Sequence, residues 1–326
     1  ICARMVSMEK RPMPVIAEKF AVCDPVWSDL REEAIRMAAA EPILASFVHA
    51  TILNHERLEE ALTYHLAQKL GNDDVGAMQV RQVFDQAFAD APVLGDEVRA
   101  DLSAIYDRDP AVTSFVEPFL FFKGFQSLQA YRVTHWLWLK NRKPMALHFQ
   151  SRISEVFGVD IHPAARIGRG VMIDHGTGVV IGETSVIEDD VSMLQGVTLG
   201  GTGKEQGDRH PKIRRGVMLG AGAKVLGNLE IGAYSRVGAG SVVLKDVPER
   251  CTVAGVPAKV VGCAGCDKPS HEMNLLSSWR IKKDPLPERN QQPRARVSTS
   301  DAQREGHRTL GPAGMYIRGL LPSGLW

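Results

Sequence analysis

The residues with chemical potential gather at three places in the chain. Asp174-His175 joins a carboxylate directly to an imidazole, Asp160 stands fourteen residues upstream of Asp174, and Asp208-Arg209-His210 sets a second imidazole beside a guanidinium. An imidazole next to carboxylates supplies a base and a group to orient it, and an arginine next to a second imidazole supplies an anion clamp. An isolated histidine is more often structural, but two histidines with charged neighbours read as catalysis. The spacing of Asp160 and Asp174 is expected to stack their carboxylates on adjoining parts of whatever structure carries them.

Glycine usage and a repeat indicate what that structure is. Twenty of the thirty glycines fall between Gly158 and Gly262, whereas the preceding 157 residues hold only Gly71, Gly76, Gly95 and Gly124, so two kinds of structure join near residue 158. Beyond it an aliphatic residue or Met recurs at every sixth position, through Ile161, Ile167, Ile173 and Val179, then Ile181, Ile187, Met193 and Leu199, then Ile213, Leu219, Val225, Ile231, Val237 and Val243. A period of six with one large aliphatic and a small corner residue suits a parallel β-helix of triangular section, each hexad forming one flat side. Three hexads complete a coil, so these fourteen positions give between four and five coils. Two slips break the register: two extra residues at Val179 to Ile181, and a polar excursion from Gly200 to Lys212. Polar insertions in a solenoid mark its binding face.

The first half has helical periodicity. Ser28 or Asp29 can cap a helix over 30–40, a second helix follows Asn54 through Leu58, Leu62 and Leu66, and further helices fit 75–90, 94–106 and 125–140. Leu128, Tyr131, Trp136 and Trp138 read as packing residues. Only the Asp-Arg-Asp-Pro turn at 107–110 suggests chemistry in this half.

Composition narrows the classes of partner. With 39 Lys plus Arg against 38 Asp plus Glu the formal charge is +1, which gives no electrostatic reason to expect nucleic acid or a membrane surface as a partner. The fullest apolar stretch, 115–125, is too short and too polar for a membrane helix. Five scattered cysteines favour a reducing compartment. Cys263-Ala-Gly-Cys266 has zinc-like spacing but no second close pair, so no metal is expected. The chain opens on Ile1, with Met5 and Met8 following, so its first residues are expected to be leader sequence.

From about Asp24 to Ser270 the sequence resembles the serine O-acetyltransferases. The residues that carry the resemblance are Asp109-Pro110-Ala111, Lys123-Gly124-Phe125 and Gln129-Ala130-Tyr131-Arg132 in the helical half. In the repeat half they are Val159-Asp160-Ile161-His162-Pro163, Asp174-His175-Gly176-Thr177-Gly178, Val197 to Lys204, Asp208-Arg209-His210-Pro211-Lys212 and Ala254-Gly255-Val256-Pro257-Ala258-Lys259. The hexad alone is weakly specific; its combination with these strings and a helical N-terminal domain is strongly so.

The resemblance implies an α+β chain in which an N-terminal α-helical domain precedes a left-handed parallel β-helix of hexapeptide repeats. Its expected divisions are a disordered leader over 1–23, a helical oligomerisation domain over 24–157, the β-helix acetyltransferase domain over 158–262 and an atypical disordered tail over 263–326. The implied reaction moves acetyl from acetyl-CoA to the hydroxyl of L-serine, the first committed step of cysteine synthesis, by direct transfer with acetyl-CoA as co-substrate and no tightly bound cofactor. His175 matches the general base and Asp160 the carboxylate that holds its imidazole. His210 would reach the same substrate from a neighbouring subunit of a homotrimer or dimer of trimers. Asp109 and Asp174 would receive the serine ammonium group and Arg209 its carboxylate. Gly201, Thr202, Ala221 and Ala239 would line the CoA groove, with Lys259 at a phosphate. In the family cysteine competes at the serine site, and a C-terminal isoleucine inserts into O-acetylserine sulfhydrylase. Here the resemblance fades after Met273 and the chain ends Gly324-Leu325-Trp326, which puts the sulfhydrylase as a partner in question. The expected location is the cytosol, with plastid and mitochondrion as alternatives. Three rival readings use the same residues: an acetyltransferase acting on another hydroxyl, a hydratase with His162, His175 and His210 on zinc, and a silent scaffold of the same fold.

Overall fold

The computed structural model describes residues 24–203, 206–263 and 267–273. The expected leader, Cys266 and the part of the expected tail (263–326) beyond Met273 lie outside the described residues, whereas 267–273, expected as disordered tail, is described and holds a one-turn helix with Pro269 and Ser270 buried. Eight helices come first: α1 (Pro25–Ala40), α2 (Pro42–Val48) with a wider turn over His49–Leu53, α3 (Leu58–Leu70), α4 (Ala77–Asp90), α5 (Val93–Arg108), α6 (Val116–Phe121), α7 (Lys123–Leu139) and α8 (Lys143–Phe157). The first begins five residues before the expected start at Leu30. Asp24, not Ser28 or Asp29, caps it, its Oδ1 accepting from the Trp27 amide at 3.1 Å, and Pro25 sits in the first turn, where no amide donor is needed. Buried residues run almost unbroken from Gly124 to Thr134 in α7, which makes it the central helix, with Leu128 and Tyr131 packed as expected.

Four short strands per parallel ladder, or more, build the second half. The first flat side stacks β1 (Val159–Ile161), β4 (Val179–Ile181), β7 (Thr198–Gly200), β10 (Lys224–Leu226) and β13 (Val242–Val243). The second stacks β2 (Arg166–Ile167), β5 (Val186–Ile187), β8 (Lys212–Ile213) and β11 (Glu230–Ile231). The third stacks β3 (Met172–Ile173), β6 (Ser192–Met193), β9 (Met218–Leu219), β12 (Arg236–Val237) and β14 (Cys251–Gly255), and β15 (Ala258–Cys263) returns antiparallel on β14. A one-turn helix α9 (Pro269–Glu272) follows. Every register aliphatic except the half-buried Ile167 is buried on the axis. The stack completes a fifth coil because Val247 and Val253, beyond the last regular hexad, continue the ladders against Ile231 and Val237.

Strand register locates both slips. Ile161 pairs with Ile181 and Ile173 with Met193, a coil of twenty residues, whereas Ile181 pairs with Leu199, a coil of eighteen. The two extra residues therefore bulge out of the corner between Ile173 and Ile181, where His175 stands at φ 57°, not at Val179 to Ile181 as the spacing suggested. The long excursion leaves the corner between β7 and β8, so Ile187 pairs with Ile213. Register also corrects the carboxylate stack: Asp160 pairs with Val180 on the first side, while Asp174 follows β3 at a corner of the same coil.

A buried polar knot joins the halves. The Asp101 carboxylate, fully buried, accepts from Arg132 Nε at 2.9 Å and Nη2 at 2.7 Å, from Gln129 Nε2 at 2.9 Å and from the Val171 amide at 2.9 Å. Arg132 also donates to the Gly168 carbonyl at 2.7 Å, and the Tyr131 hydroxyl donates to the Ala165 carbonyl. Thus the 129–132 motif, of which Tyr131 reads from the sequence as a packing residue and the rest only as part of the resemblance, fastens α5 and α7 to the first coil.

Elsewhere in the helical half His65 is buried, its ring stacked on Phe119 at 6.0 Å and its Nε2 against the Leu120 carbonyl at 3.2 Å. Burial pushes this imidazole down from 6.5 to about 4. Above pH 6.5 both folded and unfolded chains hold it neutral; below, the unfolded chain takes up a proton that the folded one refuses. Stability should therefore fall by about 3 kcal/mol between roughly pH 6.5 and 4 on this account. Urea unfolding across that range checks it, and a His65→Gln chain should show a shallower slope.

Candidate active site

Two corners of the β-helix hold the candidate residues. At the corner between the third and first sides, the Asp174 carboxylate lies 3.8 Å (Oδ2) from Nε2 of His175, whose side chain is 71% exposed. Burial raises the Asp174 carboxyl, the facing imidazole of His175 opposes this, and the like charge of Asp109 raises it further, so Asp109 and Asp174 share one pocket of field. Asp109 arrives there as the residue that ends α5, its Oδ1 accepting from the Ala111 amide at 2.9 Å. Its neighbour Arg108, with a side chain 2% exposed, donates to Ser192 Oγ on β6 at 3.1 Å, and that hydroxyl in turn donates to the Ser270 carbonyl at 2.8 Å. The Asp109 turn is thus clipped to the third side. Across the same corner Lys123 donates to Thr177 Oγ1. Gly124 is required because α7 lies directly on β3: a Cβ there would stand 1.9 Å from the Ile173 carbonyl oxygen.

The corner between the first and second sides holds the other group. His210 is 7% exposed and its ring covers Gly182, where a Cβ would come within 2.0 Å of Nε2. Thr184 organises it. The Thr184 amide donates to His210 Nδ1 at 3.2 Å and the hydroxyl lies 2.9 Å from the same nitrogen, while that hydroxyl oxygen accepts from the amides of Arg209 and His210, each at 3.0 Å. With Nδ1 accepting, the hydrogen-bond network assigns the proton of the neutral ring to Nε2. Burial lowers the His210 imidazole and the Arg209 charge lowers it further, which favours that neutral form. Arg209 Nη2 pairs with Glu183 Oε2 at 2.7 Å, and this hydrogen bond holds the Glu183 carboxyl below its usual range. Lys212 closes the excursion by donating to Asp208 at 2.6 Å and to the carbonyls of Thr184 and His210. His162 shares this corner, its ring edge-on to Trp138 at 5.1 Å; burial lowers it, against the opposing fields of Glu183 and Asp160.

One chain therefore brings together Asp109, Asp174 and His175, and separately Arg209 and His210. The flat side between the corners, Gly176 to Gly182, spans roughly 15–20 Å at about 3.3 Å per residue. Asp160 projects from this side in β1, half-buried, and its Oδ1 accepts from Gln150 Nε2 at 2.7 Å rather than from His175. The CoA-groove candidates divide in the same way. Ala221 and Ala239 follow β9 and β12 at the His175 corner, Gly201 and Thr202 follow β7 at the His210 corner, and Lys259 is exposed on β15. The trio His162, His175 and His210 is not assembled within one chain. Glu183, Thr184 and Gln150 were not singled out from the sequence. The first two sit in a turn whose one signal is a polar pair following the register glycine, and Gln150 lies on a helix face with no signal at all.

Comparison with known proteins matches residues 26–130 to the family model "Serine acetyltransferase, N-terminal" and residues 210–245 to "Bacterial transferase hexapeptide (six repeats)". The chain is similar to the serine acetyltransferase of Salmonella typhimurium, 56% identical over 249 residues that cover 76% of this chain and 91% of the relative. Among solved structures it is similar to a serine acetyltransferase in complex with cysteine, at TM-score 0.76 and 55% identity over 77% of this chain and 97% of that one. It is similar also to the Brucella abortus serine acetyltransferase in complex with coenzyme A, at TM-score 0.74 and 52% identity over 75% and 98%. With this identity over nearly the whole of the relatives, and with the fold and both histidine corners in place, the chain belongs to the serine acetyltransferase family.

Proposed function

We propose that the two corners combine across neighbouring copies of the chain to transfer acetyl from acetyl-CoA to the hydroxyl of L-serine, giving O-acetyl-L-serine and CoA. The observation that carries this reading is the placement of His175 and His210 at opposite edges of one flat side. Neither corner alone holds a base, an ammonium site and a carboxylate site. Three copies arranged about an axis let each chain's His175 corner meet the next chain's His210 corner and close the ring. A homotrimer, alone or paired through the helical half, is therefore the assembly we assign.

In this reading Asp109 and Asp174 hold the serine ammonium group, and Arg209 with the Nε2 proton of His210 holds its carboxylate. A neutral serine hydroxyl is a poor nucleophile, so His175 takes its proton as the oxygen bonds to the thioester carbonyl carbon. The carbon–sulfur bond then breaks and the imidazolium returns the proton to the departing thiolate. No cysteine carries the acetyl group. Asp160 stands on the face between the corners with Oδ2 free of Gln150, and we assign it the steadying of the imidazolium. We assign the pantetheine arm to the small residues Ala221 and Ala239, which follow β9 and β12 at the His175 corner. Gly201 and Thr202 are assigned the facing wall from the adjoining chain, and the exposed Lys259 on β15 a CoA phosphate. From the scattered cysteine usage of the chain we assign a reducing compartment such as the cytosol. Among the described residues no helix is long and apolar enough to cross a membrane.

The test is CoA release from acetyl-CoA by the purified protein with and without L-serine, with homoserine and a sugar as controls. Serine-dependent release is expected; release with the sugar alone would give the acceptor site to another hydroxyl. Arg209→Ala should raise the serine KM by roughly ten- to hundredfold, the worth of a charge-assisted hydrogen bond, and leave the acetyl-CoA KM unchanged. An equal rise in both constants would remove Arg209 from the serine pocket.

A further inference from the structure

The last coil carries a pair of cysteines that the transfer reaction does not use. Cys251 opens β14 and Cys263 closes β15, and in the antiparallel register of this hairpin the two are direct cross-strand partners. Both are free thiols, Cys263 exposed and Cys251 half-buried. Directly opposed residues of an antiparallel pair project to the same face of the sheet with Cα atoms about 4.5 or 5.5 Å apart, according to their hydrogen-bonding phase. Either separation lies inside the range of about 4.4–6.8 Å that a disulfide spans. The backbone at both positions is already held: the Cys251 amide donates to Ser235 Oγ at 3.2 Å, and the Cys263 carbonyl accepts from Thr252 Oγ1 at 3.0 Å.

We propose that Cys251 and Cys263 form a reversible thiol–disulfide pair, made by exchange with a small-molecule disulfide, that locks the base of the terminal hairpin. The exposed Cys263 thiolate attacks one sulfur of the small disulfide, forming a mixed disulfide and releasing one thiolate. Cys251 then attacks the Cys263 sulfur, forming the cross-strand bond and releasing the second. The two protein thiols give up two protons, which the two released thiolates take, and the small disulfide is reduced by two electrons. The lock bears on the substrate groove because the same hairpin carries Lys259 between the two cysteines, and β14 stacks beside β12, whose last residue, Val237, stands two before Ala239. This consequence rests on the assignment of Lys259 to a CoA phosphate. A crosslinked hairpin holds that lysine with less freedom to lose on binding, so oxidation lowers the acetyl-CoA KM.

The experiment equilibrates the full chain with glutathione mixtures from fully reduced to fully oxidised, blocks the remaining thiols, and maps linked peptides by mass spectrometry. The expected result is a Cys251–Cys263 link that dithiothreitol reverses, that persists in a Cys266→Ser chain and that is absent from Cys251→Ser. The acetyl-CoA KM should fall about two- to threefold on oxidation, with the serine KM unmoved, and Cys251→Ser should not respond. A link confined to Cys263 and Cys266, or glutathione held on Cys263 without resolution by Cys251, would overturn the pair. A Cys251–Cys263 link with an unchanged acetyl-CoA KM would overturn its bearing on the substrate. Lys259→Ala separates that outcome from a wrong assignment of the lysine: if its acetyl-CoA KM matches the parent's in the reduced state, the assignment itself falls.

Discussion

Replacing His175 with alanine should lower kcat for serine-dependent CoA release by about 10²–10⁴-fold, the usual worth of a positioned base. The same change should leave thermal stability close to that of the parent. The side chain is 71% exposed and its contact with Asp174 is 3.8 Å long, so its removal empties no core volume and strands no buried partner. His175→Asn makes the sharper variant. The backbone there is at φ 57°, which asparagine tolerates better than alanine, so a loss of rate in the asparagine chain cannot be laid to a collapsed corner. Full activity in either variant would remove His175 from the chemistry. A raised KM at unchanged kcat would make it a binding group instead.

The largest loss of stability is expected at Asp101. Its carboxylate receives two hydrogen bonds from Arg132, one from Gln129 and one from the Val171 amide, all of them out of contact with water. Burial raises the Asp101 carboxyl and the four donors facing it oppose that rise, and Asp101→Ala takes away the main counter-charge of a guanidinium whose side chain is 3% exposed. Breaking a buried pair from one side costs about 3–5 kcal/mol, partly relieved here because Glu97 still pairs with Arg132 Nη1 at 2.9 Å. Chemical denaturation should show the loss directly. A second reading of the same variant is functional. Asp101 lies two turns before Asp109 on α5 and binds the amide three residues before Asp174, so the surviving folded fraction should also show a raised serine KM. A change of less than about 1 kcal/mol would mean that water or Glu97 replaces the carboxylate, and that the knot is not what fastens the helices to the first coil.

Much of this arrangement was legible in the chain. One aliphatic in six is a local pattern, and burial of that residue on the axis follows from it with no reference to distant contacts, so Ile161 through Val243 could be placed before any coordinates. Asp174 and His175 stood out because polar groups replaced the small residues that a regular corner wants, and Arg209 and His210 because they lie in the polar excursion that breaks the register. Five helices were legible in approximate span, α1, α3, α4, α5 and α7, whereas α2, α6 and α8 were not, and α1 began early because a cap at Asp24 followed by proline is a stronger start than a serine already inside the helix.

What the sequence could not decide is which of these groups meet. Contacts between coils join residues 16, 18, 20 or 26 apart, and the offset at each level depends on how many residues a corner spills outward. No local period carries that number. Only the assembled stack sets Asp160 beside Val180 and Gln150 instead of beneath Asp174, and brings Thr184 under His210. The same stack parts His175 from His210 by one flat side. The hexad fixes the width of that side, because six residues must span it, and that separation is the physical reason the proposed reading draws the other half of the site from a second chain.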